Sequence, residues 1–141
     1  MAYRVDRGVV LFCFCLCLGS GCGRNDGPDL AQVTGRITID GKPAQKLVIR
    51  FIPEAEGGSP SYGATDAEGN YRLMFTADAN GAMLGKHRVE IEAVTPETGD
   101  DGMPIKDETI PIVPLRYREP GTLNGEVKEG NNRIDYVLES K

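Results

Sequence analysis

Val33-Thr34-Gly35-Arg36-Ile37-Thr38-Ile39-Asp40-Gly41 carries two structural signals in one short run. Val33, Gly35, Ile37 and Ile39 alternate with Thr34, Arg36, Thr38 and Asp40. In an extended chain that period places one set on a buried face and the other on a wet one. Asp40-Gly41 follows at once, and Gly tolerates the positive φ that a tight reversal demands. The run therefore predicts a half-buried strand that turns sharply back on itself.

The same pattern continues outward. Leu47 to Ile52 is β-rich, interrupted only by Arg50 and ended by Pro53, and Glu54 to Pro60 is a loop. Tyr62 to Thr65 and Tyr71 to Phe75 flank the turn Asp66-Ala67-Glu68-Gly69-Asn70 and form a predicted hairpin, with Tyr71, Leu73 and Phe75 on one face. Gly85 to Val94 sets Val89, Ile91 and Ala93 against Arg88, Glu90 and Glu92. Thr95 to Glu108 is acidic and rich in Gly and Pro, hence a loop, and a short extended piece between Pro111 and Pro114 ends near Tyr117. Leu123 to Val127 and Arg133 to Glu139 are the last strands, the second with Ile134, Tyr136 and Leu138 inward. After the first 30 residues nothing keeps helical spacing for three turns. The expectation is an all-β domain over 31–141, a small antiparallel β-sandwich of about seven strands.

Val33-Thr34-Gly35-Arg36-Ile37, Asp40-Gly41-Lys42-Pro43, Val48-Ile49-Arg50-Phe51, Thr65-Asp66-Ala67-Glu68-Gly69-Asn70-Tyr71 and Gly85-Lys86-His87-Arg88-Val89 together resemble the carboxypeptidase regulatory-like, transthyretin-like domain. The resemblance covers about Val33 to Val94. It implies a sandwich fold and a structural or accessory role. Each motif also has a folding reason: Pro43 fixes the exit from the turn, Thr65 and Asp66 offer oxygens to backbone N–H groups, and Gly69 supplies a left-handed position. One transthyretin-like branch is a purine-pathway hydrolase with several His and Arg residues and a terminal Tyr-Arg-Gly-Ser. This chain has one His and ends Leu-Glu-Ser-Lys, while Tyr117-Arg118 lies internally, so that activity does not carry over.

All four cysteines, Cys13, Cys15, Cys17 and Cys22, precede the domain. Arg4 and Arg7 give the amino end positive charge, and Gly8 to Leu18 is uncharged and mostly apolar. Eleven helical residues reach about 16 Å, half the ~30 Å hydrocarbon core, so the segment suits a secretory signal better than a membrane span. Leu18-Gly19-Ser20-Gly21-Cys22 is similar to the bacterial lipoprotein signal, with Leu18 one place further out than the usual pattern. The resemblance implies cleavage after residue 21 and a diacylglyceryl group on Cys22. Gly23, which is not Asp, leaves delivery to the outer membrane open. Residues 22–30 read as a lipidated tether. The expected location is the bacterial cell envelope, anchored in a membrane and facing the periplasm or the cell surface.

The chain carries a formal charge of −5; without residues 1–21 it keeps 14 basic and 20 acidic side chains, a charge of −6. An acidic domain lacks the basic face that phosphate contact needs, so nucleic acid is not an expected partner. One remaining Cys permits no internal disulfide.

Chemistry-bearing residues are sparse. His87 is placed on a charged edge with Lys86 and Arg88, without an acid or nucleophile in sequence to work with, and no nucleophile elbow, phosphate loop or paired-His motif occurs. No catalytic residue, metal site or cofactor is expected. Glu97, Asp100, Asp101, Asp107 and Glu108 crowd one loop, but their spacing is not that of a Ca²⁺ loop. Asp66, Glu68 and Asn70 read as a satisfied turn. Tyr62 and Tyr117, beside loops, are the two aromatics placed to touch a ligand. The expected function is a non-enzymatic, lipid-anchored envelope module that contacts an envelope protein or a glycan; the alternative is a carbohydrate- or calcium-binding accessory domain.

Overall fold

The structure is a computed structural model and describes residues 27–141; the leader, Cys22 and the tether as far as residue 26 lie outside the described residues. The strands are β1 (Leu30–Ile39), β2 (Lys42–Pro43), β3 (Leu47–Pro53), β4 (Ser61–Ala64), β5 (Asn70–Arg72) and β6 (Met74–Thr76), then β7 (Ala79–Asn80), β8 (Ala82–Met83), β9 (Gly85–Ala93), β10 (Leu123–Val127), β11 (Asn131–Arg133) and β12 (Tyr136–Leu138). A single 3₁₀ turn spans Leu115–Tyr117 among the described residues. The domain is an all-β sandwich, as expected.

Two six-stranded sheets face each other. In the first, β1 is the spine. The short strands β8, β5 and β2 pair with it antiparallel along one side, while β11 and β12 run parallel to it along the other. The second sheet has the order β10-β9-β3-β4-β6-β7 and is antiparallel throughout. The parallel pairing arises because β10 stays in the second sheet and the chain then crosses to the first, so the C-terminal segment runs the same way as β1.

The period-two patterns define the core. Val33 and Ile37 from β1 and Leu138 from β12 meet Leu47, Ile49 and Phe51 from β3 and Val89 and Ile91 from β9, all fully buried. Burying each such side chain stabilises the fold by roughly 1.5–3 kcal/mol. Asp40 (φ 51°) and Gly41 (φ 78°) form the expected two-residue reversal, and Ala44 N–H then donates to the Ile37 carbonyl at 3.1 Å.

Gly35 solves a packing problem. A Cβ built there would lie 1.8 Å from the Ile134 carbonyl oxygen and 2.7 Å from Cε1 of Tyr71. The C-terminal strand breaks opposite this point: Ile134 turns its carbonyl inward to accept a 2.6 Å hydrogen bond from the Tyr71 hydroxyl, and the Asp135 carboxylate takes the Arg36 N–H at 2.8 Å. The register is the same on both sides of the break. Hence the expected strand from Arg133 to Glu139 is interrupted: β11 starts at Asn131, inside the expected turn, and ends at Arg133, and β12 covers Tyr136–Leu138.

The expected hairpin between 62 and 75 is also divided. Asn70–Arg72 pairs with β1 in the first sheet, and only Met74 faces Tyr62 in the second. The chain changes sheet at Leu73, which is fully buried between them. Thr65 does not serve the following turn: its Oγ1 accepts the Leu47 N–H at 2.9 Å, extending the β3–β4 pairing. Asp66 carries that turn alone, its Oδ1 accepting from Glu68 N–H (3.0 Å) and Asn70 N–H (2.8 Å).

Candidate functional site

His87 is not on a charged edge. Its neighbours Lys86 and Arg88 are exposed on the outer face of β9, and the imidazole between them points inward, fully buried. It sits level with Pro53 of β3 and Gly125 of β10, and its ring centroid is 5.6 Å from that of Phe51. His Nδ1 lies 3.1 Å from the Gly85 carbonyl and so donates to it, which makes Nε2 the unprotonated nitrogen. Nε2 is buried with no hydrogen-bond partner among the described residues. Burial pulls the imidazole below its usual pKa, against the opposing effects of the Gly85 carbonyl and Glu54. Strict alternation along Gly85–Val94 puts His87 on the same face as Val89 and Ile91, so the periodicity held the answer; its charged neighbours obscured it.

The acidic loop does not gather its carboxylates. Asp107 pairs with Lys46 and also accepts from the N–H and hydroxyl of Thr109 at 2.9 and 2.6 Å. These contacts, Lys46 foremost, hold the Asp107 carboxyl at a pKa of about 2. Asp101 caps its own turn through the Met103 N–H, and Glu108 pairs with Lys106. Among the described residues no three His, Cys, Asp or Glu side chains converge on a common point.

Tyr62 and Tyr117 occupy different places and do not form one site. Tyr117 lies in the 3₁₀ turn, where its hydroxyl accepts the Glu139 N–H (3.1 Å) and a hydrogen from Arg116 (3.3 Å). These bonds stabilise the phenolate and lower its pKa, the Glu139 N–H most. Arg116 also caps the Glu139 and Lys141 carbonyls. Tyr117 thus ties the turn beside β9 to the end of β12 and closes one side of the sandwich. The other two inward tyrosines, Tyr71 and Tyr136, have pKa values pushed far up, chiefly by burial.

Tyr62 belongs to a row that the sequence did not reveal. Register places Met74, Tyr62, Arg50 and Glu90 side by side across β6, β4, β3 and β9, all on the outer face of the second sheet. Met74 and Tyr62 are 42% and 44% exposed, enough for both to meet a partner. The Arg50 guanidinium lies 5.6 Å from the Tyr62 ring centroid and pairs with Glu90 at 3.1 Å and Glu92 at 3.7 Å. Glu90 is buried, although alternation assigned it to the wet face. Tyr, Met and Arg are the residue types that interface cores favour. The Arg50 guanidinium is thus within cation–π reach of Tyr62 while it holds Glu90.

No family model matches the chain, and no curated protein matches it. Among solved structures it is similar to a DUF3823 family protein from Parabacteroides merdae, with 13% identity and a TM-score of 0.44 over 79% of this chain and 47% of that one. The chain thus spans about half the length of that protein.

Proposed function

We propose that this protein is a non-enzymatic module of the bacterial envelope, held at a membrane by a lipid on Cys22 and presenting a transthyretin-like β-sandwich to a protein or glycan partner. The observation that carries the proposal is the sequence Leu18-Gly19-Ser20-Gly21-Cys22 at the end of a short apolar stretch, a few residues before β1 begins at Leu30. Small residues before the cysteine suit a narrow peptidase pocket, and a polar tether suits display. The use of the polar side chains supports the same view. Among the described residues His87 bonds only the Gly85 carbonyl, Asp66 and Asp107 hold turns, and Tyr117 closes the sandwich. The Met74–Tyr62–Arg50 row is the surface best suited to a partner. Among the described residues no helix is long and apolar enough to cross a membrane.

The test is the intact mass of the protein extracted from membranes of a lipoprotein-competent bacterium, beside the Cys22→Ala variant. Loss of residues 1–21 with a diacylglyceryl adduct on Cys22, absent in the variant, is the expected result. A cleaved, unmodified product or an uncut chain overturns the proposal.

A further inference from the structure

We propose that His87 is an acid-sensitive release for the edge of the sandwich formed by β9 and β10. The geometry points to it. The neutral ring is fully buried, donates once to Gly85, and presents an Nε2 with no hydrogen-bonding partner among the described residues. A second proton there creates a cationic N–H donor without an acceptor, and a buried charge without a partner is strongly disfavoured.

The surrounding groups offer no relief in place. Lys86 and Arg88 lie on the opposite face of β9 and offer the ring no acceptor. From the end of β3, Glu54 favours the charged form but makes no hydrogen bond to the ring; its N–H is held by the Lys86 carbonyl at 2.9 Å. From β10, Glu126 is exposed opposite Lys86, and the Asn124 backbone carbonyl accepts from Tyr136 Oη at 3.1 Å. Tyr136 of β12 spends its one hydrogen there, and no hydrogen bond joins its oxygen to the ring. Glu54, Lys86, His87, Asn124, Gly125 and Glu126 line a surface depression of about 420 Å³. No acceptor among the described residues reaches Nε2, so a protonated ring is relieved when that end of the sheet opens toward this depression.

β10 is the strand positioned to yield. Among the described residues it is the outermost strand of its sheet, with β9 as its one neighbour. Gly125 also lies directly over the aromatic cluster, where an added Cβ would stand 2.8 Å from Phe51 Cε1 and 3.0 Å from Tyr136 Oη. A shift of the His87 ring is passed through the adjoining Phe51 ring, which packs directly under Gly125 of β10.

The sign is fixed by linkage. The unfolded or opened state binds the proton near pH 6.5, whereas the closed state binds it only at lower pH. Closure is complete above about pH 7 and is lost progressively as the pH falls below 6.5 toward the depressed value. His87 is the one histidine in the chain, so no other imidazole contributes.

The experiment is amide hydrogen exchange on the full-length protein from pH 7.5 to 5, corrected for intrinsic rates, with NMR titration of the His87 ring. We expect protection of Gly125 and Val127 to fall by up to about tenfold per pH unit below 6.5, with Val33 and Ile37 of β1 unchanged. The ring should titrate below 6.5. His87→Phe should abolish the pH dependence; if it fails to fold, His87→Gln and the wild-type titration decide the question. A ring midpoint at or above 6.5, pH-independent protection of β10, or equal loss in β1 and β10 overturns the proposal.

Discussion

Gly35→Ala should be among the most damaging single-methyl additions to this protein. The new Cβ would stand 1.8 Å from the Ile134 carbonyl oxygen, where ordinary contact begins near 3.4 Å, so backbone must move by more than an ångström. Forcing a methyl into a packed site costs about 1–3 kcal/mol. Moving Ile134 also breaks its 2.6 Å bond from the Tyr71 hydroxyl and strands a buried donor, about 1–3 kcal/mol more. Reduced unfolded-state entropy offsets about 0.4–1 kcal/mol. The net loss is about 2–5 kcal/mol, a large part of the ~5–15 kcal/mol typical of a domain. Urea unfolding followed by far-UV circular dichroism should show the midpoint fall, with Tm lower by about 10–20 °C. Tyr71→Phe alone should cost about 1–2 kcal/mol, and the double variant should lose less than the sum because both changes break the same bond. A Gly35→Ala protein within ~1 kcal/mol of wild type, or strictly additive losses, would refute the reasoning.

Two other perturbations separate stability from local order. Arg50→Met leaves the buried Glu90 without its 3.1 Å partner and should lower stability by about 1–3 kcal/mol, less than for a fully buried pair because Arg50 is partly exposed; adding Glu90→Gln should restore most of it, and a neutral Arg50→Met would show the pair to be idle. Asp107→Asn removes the tie from the acidic loop to Lys46, so limited proteolysis should cut within 95–110 faster while the global unfolding midpoint holds. In the wild type the same tie should persist above the ordinary aspartate pKa near 4 and weaken as the pH falls toward about 2, because the folded carboxyl is the stronger acid; cleavage indifferent to both changes would show the contact to be incidental.

The alternation in Val33–Ile39, Leu47–Phe51 and Val89–Ile91 determined which side chains form the core, because period two leaves a strand one way to bury its apolar face. Asp40-Gly41 and Asp66 likewise announced their turns through local chemistry alone. Pairing lay beyond that reach. Nothing local told Asn70–Arg72 to join β1 while Met74 joined β4, or set the C-terminal segment parallel to β1, since those choices depend on which sheet edge is free after the rest has packed. The same holds for the chemistry. The expectation for His87 followed its charged neighbours, but the inner face of β9 decided its place, and the row of Met74, Tyr62, Arg50 and Glu90 exists only because register brings four separate strands side by side. The character of each strand was written in its own residues, whereas its neighbours were chosen by the competition of all strands for one core.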